Sequence, residues 1–285
     1  MLSSAARGFC SFVQDLAPFW QKYTAVSKLR EGRMRMKAYG GALRAAWRGV
    51  LGALYPRAAN CLVCGHPRLA DERDCLCDAC RRQIAGSRVP PEACERCLSP
   101  VRRGKRCGMC ASYAMRFIDK VYAPYRYAGA VRALIHAYKF DACDEALPLL
   151  AGAMADALKD RRFDCLVPVP LHPRRLRQRG VNQALLLAEA LSRRVHIPVM
   201  ELLRRDVYRA PQSRTPIGER RRNIQGAFSA AQPAQGMRVL LIDDVRTTGS
   251  TAAECAQALR KAGAVSVSLC VAAVVYGVKR ENDQS

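Results

Sequence analysis

The sequence has no long uninterrupted apolar run. Its longest apolar segment, 264–276, has about the length of a strand and contains two serines, whereas a membrane-spanning helix needs roughly 20 apolar residues. The first residues also lack an apolar stretch followed by a small-residue cleavage site. We therefore expect neither a transmembrane segment nor a secretory signal, and we expect a cytoplasmic protein.

Aromatic side chains are scarce as well. They make up 7% of the chain, and Tyr208 is the only aromatic residue between Phe163 and Phe228. Stacking of bases on aromatic rings supplies much of the binding energy of single-strand nucleic-acid binders. A binding surface of that type would have to rely mainly on charge in this part of the chain.

Acidic residues are outnumbered: 24 Asp and Glu face 47 Lys and Arg, which gives a net charge of +23. The excess is concentrated in 1–60 and in 161–226, where all 15 basic residues are arginine and only 5 residues are acidic. The planar fork of arginine suits phosphate groups. A genome rich in G and C is the alternative cause of the arginine content, and charge alone does not distinguish nucleic acid from a phosphorylated small molecule.

The composition changes along the chain in a way that predicts three parts. Residues 1–40 form a basic leader, which is either a flexible arm or the product of an upstream start codon. Residues 41–112 begin with an amphipathic helix over 41–55 and then hold nine of the 14 cysteines, with few large apolar side chains. Apolar runs and helical patterns alternate in 113–285.

That alternation predicts an α/β fold with a parallel sheet covered by helices on both faces. Helices are expected over 131–138, 144–158, 182–194 and 250–262, and strands over 163–169, 198–203, 238–242 and 265–275.

Four Cys-x-x-Cys pairs lie within residues 61–110, namely Cys61/Cys64, Cys77/Cys80, Cys94/Cys97 and Cys107/Cys110. Two such pairs complete the tetrahedral all-sulfur shell of a structural zinc site. The eight thiols therefore predict two Zn2+ ions in two consecutive zinc ribbons, with crossed pairing left open. An iron–sulfur cluster can use the same ligands, and disulfides are disfavoured in the cytosol. Cys75 lies outside the pattern and is expected to be a spare thiol.

A second motif follows the apolar run 239–242. Two carboxylates, Asp243 and Asp244, come directly after the run, and a Thr-, Gly- and Ser-rich loop then precedes a helical pattern. Ligands of open parallel sheets bind beyond the carboxyl ends of the strands, and a helix N-terminus favours an anion. Carboxylates accept hydrogen bonds from vicinal hydroxyls. The pattern therefore predicts a phosphorylated sugar. The loop residues are Thr247, Thr248, Gly249, Ser250 and Thr251.

The thirteen residues 239–251 closely resemble the signature of the type I phosphoribosyltransferases. From about Leu43 to Tyr276 the chain resembles the ComF (GntX-like) family, which joins a cysteine-rich zinc module to this domain. Matching pieces are the cysteine pairs and the segments 138–140, 167–183, 211–213, 219–223 and 226–228. The resemblance implies a type I phosphoribosyltransferase-like parallel sheet with a small N-terminal zinc-ribbon module.

The same resemblance implies a ligand, 5-phosphoribosyl 1-diphosphate, bound with Mg2+. Asp243 and Asp244 would be the catalytic carboxylates, and 209–222 would form a lid over the ligand. Arg246 stands where many relatives have an aliphatic residue, and we expect it to add a phosphate contact. The other ligand-binding residues expected are Arg174, Arg175, Arg179 and the loop Thr247–Thr251.

Three functions stay open at this point. The first is transfer of the phosphoribosyl group to an acceptor that no residue set identifies. The second follows from the association of the family with DNA uptake, and is the handling of incoming single-stranded DNA in the cytosol together with other DNA-uptake proteins. The third is a regulatory sensor of the same ligand.

Overall fold

A computed structural model describes residues 60–67, 75–101, 107–140, 145–158, 162–206 and 226–276. The leader 1–40, the amphipathic helix predicted over 41–55 and the lid predicted over 209–222 lie outside these residues. No helix within the described ranges is long and apolar enough to cross a membrane.

A parallel sheet forms the centre of the molecule, with strand order β1-β7-β6-β3 and β2 also paired with β7. A separate antiparallel pair is formed by β4 and β5. The strands are β1 (Val121–Tyr122), β2 (Tyr125–Arg126), β3 (Cys165–Pro168), β4 (Leu203–Arg205), β5 (Phe228–Ala230), β6 (Arg238–Arg246) and β7 (Ser266–Val274). The helices are α1 (Asp78–Ala85), α2 (Gly129–Phe140), α3 (Ala146–Ala157), α4 (Pro173–Arg179), α5 (Gln183–Val195) and α6 (Ser250–Lys261).

The predicted parallel sheet covered on both faces is confirmed. One core joins α2, α3 and α5 to one face and includes Leu240 and Ile242 of β6. The other core joins α6 to the opposite face and includes Val239 and Leu241. This alternation along β6 follows from the two-residue period of a strand. Both faces are covered, so the strand reads as a continuous apolar run.

The alternation changes near the carboxyl ends of β6 and β7. Val245 packs in the same core as Ile242, although the two are an odd number of positions, three, apart. On β7, Ala272 and Ala273 are successive residues of that one core, and Val274 belongs to the other. In both strands the alternation of side chains between the two faces therefore shifts by one residue, close to the acidic residues of β6.

One predicted strand differs from the structure, and one helix of the structure was not predicted. The strand expected over 198–203 is a single bridge between Val199 and Leu166, and β4 begins only at Leu203. The reason is that the chain makes two hydrogen bonds with Leu166 and then leaves the main sheet to pair with β5. Helix α4, which the sequence analysis did not predict, is capped by the His172 side chain and ends at Gly180, whose φ is 75°.

The boundary expected between residues 112 and 113 remains a prediction. Within the described residues, the cysteine-rich segment contributes side chains to both cores. Cys61, Cys80 and Ile84 lie in the core of α2, α3 and α5. Cys97 lies in the core of α6. Cysteines of this segment therefore pack on both faces of the sheet.

Candidate functional site

The acidic pair predicted to follow a strand lies inside the strand. Asp243 pairs with Val271, and the ladder continues through Arg246, which pairs with Val274. Asp243 and Asp244 are both half-buried. The sheet thus fixes the backbone of both carboxylates at its carboxyl edge, which is the edge where open parallel sheets bind ligands.

The environments of the two carboxylates differ. Lys139 Nζ lies 2.7 Å from Asp244 Oδ2, and both side chains are about one-fifth exposed, at 21% and 18%. Asp243 Oδ1 accepts a hydrogen bond of 2.9 Å from the backbone N–H of Asp244. Burial, followed by the neighbouring Asp244 charge, raises the pKa of Asp243 to about 7. Lys139 belongs to the segment 138–140 that resembles the family, but no role for it was predicted from the sequence.

The loop after β6 is the predicted anion site. Thr248 Oγ1 and Ser250 Oγ are 3.0 Å apart, and the backbone N–H of Ser250 points at Thr248 Oγ1 at 3.4 Å. Helix α6 begins directly after Gly249, which has φ 80°. A small cleft is lined by Asp243 and by the whole loop Thr247–Thr251. The structure therefore brings together the acidic residue, the hydroxyls and the helix N-terminus that were predicted to act as one site.

Gly249 is the residue that permits this turn. A Cβ atom there would lie 3.0 Å from the Ala114 Cβ, in addition to the strain of a positive φ. We expect Gly249→Ala to lower the free energy of unfolding by roughly 1–3 kcal/mol, measured by urea denaturation. Gly236→Ala is the matched control, because Gly236 has φ 73° but no atom within 4 Å of its Cβ position. Equal losses in the two variants would contradict a close contact at Gly249.

The arginines predicted to hold a diphosphate lie on α4, just beyond β3. Pro168, the last residue of β3, pairs with Ile242, which directly precedes Asp243 in β6, so α4 follows the same sheet edge as the acidic pair. Arg174 is exposed and Arg175 is half-buried. Arg179 is the last residue of α4, and its side chain lies outside the described part.

Arg205 on β4 is a basic residue that sequence reasoning missed. Burial lowers the pKa of its guanidinium, and the charge of Arg175 acts in the same direction. Its Nε is buried without a hydrogen-bond partner among the described residues. The guanidinium carbon lies 5.3 Å from the centre of the Phe228 ring. No sequence signal marked Arg205, because it approaches α4 only through the antiparallel β4–β5 pair.

Arg246 was expected to add a phosphate contact, and that role remains untested. Its side chain is 2% exposed, and its Nη2 donates a 3.2 Å hydrogen bond to Ser99 Oγ. Ser99 belongs to the cysteine-rich segment. The guanidinium group is therefore directed at that segment, which sequence reasoning did not anticipate.

The eight predicted cysteine ligands form two groups of four, Cys61/Cys64/Cys77/Cys80 and Cys94/Cys97/Cys107/Cys110. Within each group all sulfur atoms lie within 4.8 Å of one another. The Sγ atoms of Cys64 and Cys77 are 3.7 Å apart in the first group, and two Sγ–Sγ distances in the second group are 3.4 and 3.5 Å. Four sulfurs at zinc-bonding distance from one ion lie about 3.8 Å apart. Each group therefore fits a single tetrahedral ion such as Zn2+, and the pairing is consecutive.

The disulfide alternative for the cysteines is not supported, because none of the eight thiols forms a disulfide bond. Cys75 lies outside both groups, and its Sγ is 3.6 Å from the Glu145 carbonyl oxygen. We name the group Cys61/Cys64/Cys77/Cys80 the first cluster and the group Cys94/Cys97/Cys107/Cys110 the second cluster.

Comparisons with known proteins agree with this arrangement. The family model described as "Phosphoribosyl transferase domain" matches residues 182–284. "DNA utilization protein YhgH" of Escherichia coli K12 is 33% identical over 218 residues, which cover 73% of this chain and 94% of the relative. "Competence protein F" of Haemophilus influenzae is 32% identical over 223 residues, covering 74% and 94%. "Competence protein ComFC" of Bacillus subtilis is 30% identical over 205 residues, covering 68% and 81%.

Among solved structures, the purine phosphoribosyltransferase of Pyrococcus horikoshii is similar with a TM-score of 0.31 and 19% identity, over 47% of this chain and 83% of that one. Similarity this low says nothing about ligand or reaction. The sequence relatives, which align over nearly their whole length, and the two four-cysteine groups carry the assignment. The chain belongs to the ComF/GntX family, with a phosphoribosyltransferase-type domain and an N-terminal cysteine-rich module.

Proposed function

We propose that the protein binds 5-phosphoribosyl 1-diphosphate at the carboxyl end of β6. The observation that carries this proposal is that Asp243 and the loop Thr247–Thr251 line one cleft at one sheet edge. The loop hydroxyls and the first N–H groups of α6 would hold the 5′-phosphate. Asp243 and Asp244 would accept hydrogen bonds from the ribose hydroxyls.

The diphosphate would be held on the opposite side of the ligand, by arginine and by Mg2+. Arg174, Arg175 and Arg179 follow β3 at the same sheet edge. Mg2+ is commonly held through substrate phosphates and one or two carboxylates, and the oxygens of Asp243 and Asp244 fit that donor set. The ion would neutralise the charge of the diphosphate.

The proposal extends to phosphoribosyl transfer. An acceptor nitrogen would form a bond to C1′ as the bond from C1′ to the diphosphate oxygen breaks, and the diphosphate would leave with the electron pair. The acceptor proton would pass to solvent, since no general base for it is evident among the described residues. Positive charge that develops on the ribose would be stabilised by the two nearby carboxylates.

Titration calorimetry on the full chain tests the binding step. With Mg2+ present, we expect saturable binding of 5-phosphoribosyl 1-diphosphate below millimolar concentration. No heat of binding at millimolar ligand would overturn the proposal. Release of diphosphate in the presence of candidate acceptors then tests transfer separately.

A second function is favoured by the names of the relatives, which refer to competence and DNA utilization. We propose that the surface formed by the arginines of α4 also contacts single-stranded DNA. This contact would take place in the cytoplasm, where thiol pairs stay reduced, together with other DNA-uptake proteins. Arg174 and Arg177 on α4 are exposed and are available for phosphate contacts. Arg220, Arg221 and Arg222 are further candidates from the sequence.

Salt dependence measures this contact directly. Affinity for single-stranded DNA should fall steeply between about 50 and 200 mM salt, because bound phosphates release counterions. Replacing Arg174 and Arg177 with alanine should lower the logarithmic salt slope by roughly 1.4, at about 0.7 for each phosphate contact. Replacing the exposed Arg193 and Arg194 of α5 removes the same charge elsewhere and should leave the slope unchanged.

Equal slopes in the two double variants would place the DNA surface elsewhere. A triple alanine variant at 220–222 then examines the other arginine segment, and the basic leader is the next candidate.

A further inference from the structure

The arginine within the phosphoribosyl signature has an unusual environment for a charged side chain. Arg246 is 2% exposed. Only its Nη2 has a hydrogen bond, to Ser99 Oγ, while Nε and Nη1 are buried without a partner among the described residues. A buried guanidinium group is strongly unfavourable unless opposite charge and hydrogen-bond acceptors face it.

The second cluster supplies that opposite charge. Burial lowers the pKa of the Arg246 guanidinium, and the thiolates of Cys97, Cys107 and Cys110 act in the opposite sense, as does Tyr276. A tetrahedral site of one divalent ion and four thiolates carries a net negative charge. Arg246 therefore faces an anionic centre once the second cluster holds its ion.

Ser99 connects the two groups through hydrogen bonds. Ser99 is 7% exposed and Cys97 is fully buried. The backbone N–H of Cys94 donates a 3.0 Å hydrogen bond to the Ser99 carbonyl oxygen, and Ser99 Oγ accepts the hydrogen bond from Arg246. A continuous polar path runs from a ligand of the second cluster to the residue before the sugar-phosphate loop.

The segment after the second cluster contacts the same loop and helix. Ala114 lies against Gly249. Tyr113 donates a 2.6 Å hydrogen bond from its hydroxyl to Glu254 Oε1, and Glu254 Oε2 accepts a 2.9 Å hydrogen bond from the backbone of Gly226. Glu254 is 5% exposed on α6. Two contacts, Ala114 with Gly249 and Tyr113 with Glu254, therefore join this segment to the loop and to α6.

The first cluster is placed differently. Cys61 and Cys80 belong to the core of α2, α3 and α5, on the other face of the sheet. Helix α1, which carries Cys80, packs against α2. The first cluster can influence the loop only indirectly, through α2 and its Lys139.

We propose that Arg246 is a positioning residue that couples the second cluster to the sugar-phosphate loop. Metal bound by Cys94, Cys97, Cys107 and Cys110 holds the Arg246 side chain, and Arg246 in turn fixes Thr247–Thr251 in the arrangement that receives an anion. The coupling itself stands on the contacts described above. Its consequence for 5-phosphoribosyl 1-diphosphate rests on the proposed function.

Release of zinc to a colorimetric chelator tests the coupling without any ligand. Arg246→Met keeps the length of the side chain and removes its charge and donors. Loss of a partner outside the ligand shell typically weakens metal binding 10- to 100-fold, so we expect one of the two zinc ions to leave at least tenfold faster from the full-length variant. Arg238→Met is the matched control, because Arg238 begins the same strand and pairs with the exposed Asp164.

The site that loses zinc faster is identified with Cys64→Ser, which removes the first cluster. Arg246→Lys keeps the charge and should recover part of the retention, and Ser99→Ala gives the same direction of change if Arg246→Met does not fold. Zinc release that is unchanged in both Arg246→Met and Ser99→Ala would overturn the proposal.

The loop is examined by hydrogen exchange of peptides covering 247–253. These amides should exchange faster in zinc-loaded Arg246→Met than in wild type, with no change in Arg238→Met. Unchanged exchange in Arg246→Met would show that Arg246 does not position the loop. This readout separates the coupling from the proposed function, since neither zinc release nor exchange requires the ligand to bind.

A final measurement links the coupling to the proposed ligand binding. If 5-phosphoribosyl 1-diphosphate binds, it should raise the zinc affinity of the second cluster in wild type, measured by competition with the chelator at equilibrium, because coupling between two sites is reciprocal in binding free energy. Binding without any change in zinc affinity would leave the proposed function intact and overturn the coupling. Absence of binding in wild type would overturn the proposed function, and the coupling would then be decided by the zinc and exchange measurements.

Discussion

Replacing Asp243 and Asp244 together with asparagine should weaken the binding of 5-phosphoribosyl 1-diphosphate with Mg2+ at least tenfold. Asparagine keeps the size of each side chain but removes its negative charge and turns an acceptor into a mixed donor and acceptor. Loss of one charge-assisted hydrogen bond costs roughly 1.5–3 kcal/mol, which exceeds the 1.4 kcal/mol or so that corresponds to a tenfold change. Titration calorimetry measures the effect.

The single variants should not contribute equally. Asp244 is paired with Lys139 at 2.7 Å, so Asp244→Asn also leaves a half-buried ammonium group without its carboxylate. Asp243 forms no ion pair within the described residues, although the charge of Lys139 also acts to lower its pKa, so Asp243→Asn reports more directly on the ribose contact. The two residues are neighbours, so their effects are not expected to add.

The matched control lies just before β3, at the amino ends of the strands. Asp164→Asn removes a carboxylate that pairs with Arg238 at the opposite edge of the sheet, and ligand affinity should be unaffected. A ligand without the 2- and 3-hydroxyls should hardly sense the changes at Asp243 and Asp244. Equal affinity of wild type and double variant for the full ligand would mean that the carboxylates do not hold the ribose.

Removing the metal should have the largest effect on stability. Structural zinc contributes apparent binding free energies of about 10–16 kcal/mol in zinc-finger peptides, and this energy is folding energy. In this chain the cysteines also belong to the cores, with Cys61 3% exposed and Cys97 fully buried. We expect a strong chelator to lower the midpoint of thermal unfolding by more than about 10 °C, since a change of 1 kcal/mol shifts it by roughly 2–4 °C in a domain of this size.

Limited proteolysis should then cut within residues 60–110 of the metal-free protein, because the described part of that segment has few large apolar side chains of its own. Cys97→Ser should reproduce part of the loss. Cys75→Ser is the control, since Cys75 is also buried but belongs to neither cluster. Native mass spectrometry that detects no bound metal in the wild type would contradict both the zinc sites and this prediction.

The sequence was informative wherever the signal was local. The cysteine pairs have a fixed spacing that directs two thiolates to one ion, so all eight ligands were predicted, and only the choice between consecutive and crossed pairing needed the structure. The parallel sheet followed from apolar runs that alternate with helical patterns. The acidic pair and the loop Thr247–Thr251 were predicted as one site because they are contiguous in the chain.

The strand boundaries show where local reasoning failed. The predicted strand over 238–242 ended at the first carboxylate, because charged residues are unfavourable in a buried strand. The ladder continues to Arg246, since Asp244 has Lys139 as its partner. That ion pair joins residues more than a hundred positions apart in the sequence, and no spacing within β6 predicts it.

By itself the sequence determined which chemical groups are present: two carboxylates, hydroxyls at the start of a helix and eight thiols in pairs. Only the tertiary structure decided which face Arg246 occupies. A strict two-residue period would place it in the core of Leu240 and Ile242. The alternation of side chains shifts by one residue near the carboxyl ends of β6 and β7, however, as Val245 and Ala273 show. Its guanidinium group therefore meets Ser99 and the second cluster. The alternation of side chains along a strand is a local property. The shift in that alternation depends on how two neighbouring strands pack between the helices on the two faces of the sheet.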